Sequence, residues 1–223
     1  MSTLLVYPDA GTGGTTVDGG VERDGDNAVF STVRGAVGTG SSPTATAGHI
    51  ANAKSSATTN QFAGIARGIM LFNTSGLGVV EISSATISLQ FVALSNALGE
   101  PSLDIVASSP ASNGNLVSAD YSQLGNTVYG DLPYSSASTG AYNDITLNSS
   151  GESAISTSGI TKFGTRTGWD TDNSFGGTWV ANSLTYFYGY YADQTGTTSD
   201  PKLTIEYSEG GAADDALFFG CNF

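Results

Sequence analysis

Cysteine and histidine occur once each in this 223-residue chain, as Cys221 and His49. A lone cysteine forms no internal disulfide, so the fold does not depend on oxidation. One residue of each kind also rules out a Cys/His zinc set. A Ser-His-Asp or Cys-His site needs a histidine beside an orienting partner. His49 sits in a Gly-, Ala-, Ser- and Thr-rich stretch with no such partner in reach of sequence reasoning, and Cys221 lies near the chain end. The chain is therefore expected to be non-enzymatic. Basic residues are scarce as well, 7 against 20 acidic ones, for a net charge of -13. Such a field repels phosphate backbones and anionic membranes, which predicts neither a nucleic-acid nor a membrane partner. No apolar run approaches the length of a membrane span. Residues 1 to 7 lack the basic region, long apolar stretch and cleavage site of a signal peptide, so none is expected.

What is abundant is strand-and-turn material. Glycine contributes 30 residues, charged residues only 12 %, and hydrophobic residues 39 % in patterned runs. Thr, Val, Ile, Tyr and Phe suit a pleated surface, and Gly and Asn suit its turns. Alternation predicts strands over residues 3 to 7, 62 to 72, 82 to 91, 103 to 107, 142 to 147, 160 to 166, 183 to 191 and 202 to 207. In the run from 82 to 91 a bulge near Ser84 reconciles Ile82 with Ala85, Ile87, Leu89 and Phe91. Residues 17 to 23 and 28 to 34 read as a strand pair around Asp24-Gly25-Asp26-Asn27. Residues 35 to 60 read as a long surface excursion. Short helical turns are expected at 119 to 121 and 152 to 156. The alternating positions Leu5, Val29, Ile69, Leu71, Ile87, Leu89, Leu103, Ile105, Ile145, Leu147, Leu203 and Ile205 are the predicted core.

Most Asp residues fall in Gly- and Asn-rich turns, where such side chains usually cap their own backbone. A structural calcium is the sharper alternative, because turns offer carboxylates and carbonyls together. Asp24 with Asp26, and Asp170 with Asp172, are the candidate ligands; neither cluster completes an EF-hand loop. No other cofactor is expected. Trp169, Trp179, Tyr186, Tyr188 and Tyr190 are candidate glycan-stacking residues, set against a role in the core or an interface. Beyond residue 207 an acidic Gly/Ala segment leads to Leu217, Phe218, Phe219 and Phe223. These read as a docking tail for another subunit, the alternative being a tail that covers an edge of its own domain.

The order of motifs carries a resemblance. "VDGGVERDGDNAVFSTVRGAVGTG", "RGIMLFNTSGL", "ISSATISLQF", "YNDITLNSSG", "ITKFGTR" and the closing "DPKLTIEY" follow the "YPDA" opening. The chain resembles DNRLRE-type and related carbohydrate-binding-module-like β-sandwiches, of the kind found in bacteriophage virion proteins. The resemblance implies a jelly-roll-like antiparallel β-sandwich over residues 1 to 207, with residues 208 to 223 as linker and apolar tail. It also implies a structural virion protein: a capsid decoration (cement) or fibre-associated protein, made in the host cytoplasm and held by other virion subunits, with homo-oligomerisation expected. The alternative it leaves open is a glycan-binding module.

Overall fold

A computed structural model describes residues 1–209. The expected docking residues Leu217, Phe218, Phe219 and Phe223 lie outside the described residues. In chain order the elements are β1 (Ser2–Val6), β2 (Asp18–Ala28), α1 (Phe30–Gly35), β3 (Gly40–Ser42), β4 (Ala47–Ser55), β5 (Phe62–Asn73), β6 (Val80–Asn96), β7 (Leu103–Ala107), β8 (Gly130–Leu132), β9 (Tyr142–Thr146), α2 (Ser149–Ser153), β10 (Ile160–Thr167), α3 (Gly168–Thr171), β11 (Leu184–Tyr190) and β12 (Lys202–Glu209), with short 3-10 turns at Ser118–Ser122 and Tyr134–Ser136.

The all-β expectation holds, but the two-sheet jelly-roll sandwich does not. The strands form one continuous 12-stranded sheet that curls into a half-barrel. Nine of them follow the order β1-β12-β6-β11-β4-β5-β10-β7-β8, and three lie off this path, β2 on β5, β3 on β2 and β9 on β6. Two long strands carry the sheet round. β6, 17 residues long, pairs with β12 and β9 along its first part and with β11 along its second. β5 pairs with β2 along one edge, while β4 and β10 share its other edge: Arg67 faces Val21 and Ala51, and Gly68 faces Gly20 and Thr165. Alternation reports which side chains face inward. It does not report that a strand leaves one partner for the next, so a curled sheet and two stacked sheets read alike in sequence. The expected irregularity in β6 is present: Glu206 pairs with Ser84 but Tyr207 with Ile82, leaving Ser83 as the extra residue of a bulge.

The concave side of the curl holds one core, which includes Met70, Phe72, Ile87, Phe91, Phe163, Phe187 and Leu203. A second apolar cluster covers the other face of β5 and its neighbours, with Val21, Phe30, Val33, Ile65, Ile69, Tyr121 and Trp169. Ten of the twelve predicted core positions are buried. Leu5 and Val29 are not, at 46 % and 54 % exposed. Leu5 faces outward on the terminal strand, and Val29 is the residue that enters α1.

Two further expectations are corrected. Residues 28 to 34 do not return as a strand. β2 runs on to Ala28 through an irregularity after Asp24, where Gly25 takes φ +87°, and α1 follows. Phe30 and Val33, one helical turn apart, bury that helix's inner face. Residues 35 to 60 are not a surface excursion, because β4 lies inside the sheet between β11 and β5, with Ile50, Ala51, Asn52 and Ala53 buried. Its small residues resemble loop composition, yet the site demands them: a Cβ on Gly48 would stand 2.8 Å from the Tyr191 ring.

Candidate functional site

The antiparallel pairing of β4 with β11 sets His49 opposite Tyr188 and Asn52 opposite Tyr186. Alternation then buries Phe187 and Gly189 and leaves Tyr186, Tyr188 and Tyr190 half-buried on the outer face. The His49 ring meets both neighbours edge to face, at 5.5 Å from Tyr186 and 5.3 Å from Tyr188. Tyr188 donates its hydroxyl to the Ala47 carbonyl at 3.3 Å, which fixes the ring. Two cavities adjoin His49. One, of about 120 Å³, lies beside Gly20, Glu22, Ser42 and Tyr188. The other, of about 110 Å³, lies beside Glu22, Asp24, Asn52 and Lys54. Burial lowers the His49 pKa and the Lys54 charge adds to the effect, so the imidazole is neutral at pH 7. A neutral imidazole is both donor and acceptor. Ring faces flanked by neutral and charged hydrogen-bonding groups suit a polyol.

The other aromatic candidates are elsewhere. Trp169 lies on α3, nearly buried, with its ring 4.7 Å from Phe175. Trp179 is partly buried in the same outer cluster and donates its indole N–H to the Gln61 carbonyl at 3.0 Å. Both tryptophans cover the outer cluster and neither joins the tyrosine face.

Three of the four acidic candidates, Asp24, Asp26 and Asp170, are paired with cations of the chain itself. Asp24 pairs with Lys54 at 3.0 Å, and Asp26 with Arg23 at 2.5 Å. Asp172 ends α3. Asp170 faces guanidinium groups, surroundings that repel a metal ion. Among the described residues, no three His, Cys, Asp or Glu side chains come together as a metal set. Of the turn carboxylates, Asp9 does cap its own loop, accepting from the Thr15 and Thr16 amides at 2.7 and 3.0 Å.

The most highly charged interior site is one that sequence reasoning missed. Thr167 caps the short α3, its hydroxyl accepting from the Asp170 amide at 3.3 Å, and this turn aims Asp170 into the outer cluster. Arg67, on β5, meets it there with two parallel bonds, Nε to Oδ2 at 2.7 Å and Nη2 to Oδ1 at 2.8 Å. The same guanidinium lies 3.8 Å above the Tyr121 ring. Arg34, from the last turn of α1, donates Nε to the Asp170 carbonyl at 2.5 Å and lies 3.3 Å from Oδ1. Arg166, on β10, approaches Oδ2 only to 3.7 Å. Arg34 Nη2 and Arg166 Nη1 share one acceptor, Asn126 Oδ1, at 2.7 and 2.5 Å. These contacts staple α1, β5, β10 and α3 together. The only sequence trace is scarcity: the chain has four arginines, and three converge here although Arg34, Arg67 and Arg166 are far apart in the chain.

A third cluster joins Asp18 with Asp193 and Asp200. Asp18 Oδ2 accepts from the Ala192 amide at 2.9 Å, while Oδ1 is buried without a partner. Burial pushes the Asp18 pKa up to about 8, with repulsion from Asp193 and Asp200 adding. Compared with models of known protein families and with curated proteins, the chain matches none.

Proposed function

We propose that the protein is a non-enzymatic structural protein that acts by contact within a larger assembly, a bacteriophage virion, as a capsid decoration or fibre-associated protein. The observation that supports this reading is the edge formed by β1. This strand ends the sheet and, among the described residues, pairs only with β12. An unpaired strand edge is a template for strand addition from another chain. Leu5 stands exposed on it, and the last residues of β12 lie beside it, with Ser2 paired to Tyr207. Mass spectrometry of purified particles tests the proposal. Recovery of the chain at a fixed ratio to the major capsid protein supports it, and absence from the particles contradicts it.

The His49, Tyr186 and Tyr188 face favours a second reading, glycan recognition. A glycan array probed with the full chain checks it. Binding that weakens about tenfold in Tyr188→Ala, as loss of one aromatic contact implies, supports the reading. An array without hits removes it.

A further inference from the structure

Buried charges are ordinarily matched by opposite charges. The arginine cluster is not. Three guanidiniums face one carboxylate, and their side chains are 16 %, 1 % and 4 % exposed for Arg34, Arg67 and Arg166, with Asp170 at 0 %. Two positive charges remain over, in a protein whose net charge is -13. A network that served only to staple the fold would not need them. Arg166 carries the plainest sign of the deficit: its Nε is buried with no hydrogen-bond partner.

The surplus faces a cavity. Arg34, Arg67, Arg166, Ser122 and Asn126 line a space of about 220 Å³. A single water needs only about 10–15 Å³ of such space. Asn126 Oδ1 accepts from both Arg34 and Arg166 and holds the two guanidiniums side by side at the cavity. Guanidinium forks match the oxygens of phosphate, sulfate and carboxylate. Charge decides among these. A dianion balances the surplus, whereas a carboxylate leaves half of it.

We propose that this cavity is a binding site for a divalent oxyanion, either free phosphate or sulfate or a phosphate monoester on a larger molecule. The site is independent of both functional readings given above. Arg166 and Arg34 are its principal ligands, and Arg67 is committed to Asp170 and holds the site in shape. The surroundings of Arg166 agree with this role: burial lowers its pKa to about 10 despite Asp170, and Arg67 and Arg34 lower it further. A bound dianion reverses that strain.

The test uses the full chain in calorimetric titrations at matched ionic strength with inorganic phosphate, sulfate, acetate and glycerol 1-phosphate. Saturable binding of phosphate and sulfate at one site per chain, with acetate at least about tenfold weaker, is the expected result. Glycerol 1-phosphate tighter than phosphate identifies the esterified form as the ligand, and equal affinity identifies the free ion. Arg34→Gln, at the rim of the cavity, is expected to weaken phosphate about tenfold or more while the far-ultraviolet spectrum stays that of the parent. Absence of saturable binding by the parent chain overturns the proposal, whatever the variant does. So does acetate binding as tightly as phosphate, or phosphate affinity unchanged in a folded Arg34→Gln.

Discussion

Asp170 is the counter-ion on which the outer cluster turns. Arg67 spends two of its donors on it, and Arg34 and Arg166 stand within 4 Å. Removing one partner of a buried pair leaves uncompensated charge and costs about 3–5 kcal/mol. Asp170→Asn is therefore expected to lower the melting temperature by on the order of 10 °C, measured by calorimetry. An unchanged melting temperature would mean that the guanidiniums are already neutralised by something else. Asp18 makes the opposite contribution. Its folded-state pKa, about 8, exceeds its unfolded value of 3.8, so the folded chain holds a proton that the unfolded chain lacks between those limits. Stability from this group is fully present below pH 4 and declines as pH rises to 8, by at most about 1.4 kcal/mol per pH unit. Asp18→Asn should keep the acceptor for the Ala192 amide and flatten the decline between pH 5 and 8. Urea midpoints across that range measure it, and a parallel decline in the variant would place the effect on Asp193 or Asp200 instead.

At the scale of elements, the strands with bulky alternating residues were legible. β7 begins and ends at the residues that alternation predicts, and the bulge in β6 follows from Ile82 falling out of step with Ala85. β4 was not legible, because its central Ala51, Asn52 and Ala53 are chosen for lack of bulk between two crowded neighbours. Small residues carry no hydrophobic period, so the pattern reads as loop. The arginine site was hidden for another reason. Its members are joined only by the pairing of β5 with β10 and by the docking of α1 and α3, none of which has a local signature. The tyrosine face is half legible: alternation places Tyr186, Tyr188 and Tyr190 together, but His49 comes from β4, whose small residues carry no such pattern. Ala51 supplies the check on β4. It pairs with Phe187 on one side and Arg67 on the other. Ala51→Pro should cost about 3 kcal/mol or more and release hydrogen exchange across β4 and β11. A chain that tolerated proline there would return this segment to the surface.

For the whole molecule, the curl leaves β1 at one end of a sheet that no described residue closes. The two apolar layers make the body of the domain independent of that edge: alanine at Ile87 or Leu203, both fully buried, should cost about 2–5 kcal/mol, while Leu5→Ala should change stability by less than about 0.5 kcal/mol. Leu5 is thus suited to interaction rather than to folding, which is the basis of the assembly reading. Sedimentation velocity of the full chain, alone and with purified virion subunits, tests that reading most directly, with Leu5→Lys as the comparison because a charge on an edge strand blocks strand addition. The expected result is a complex larger than the monomer that Leu5→Lys weakens while the variant's melting temperature holds. A chain that stays monomeric under every condition, or a complex indifferent to Leu5→Lys, would contradict it.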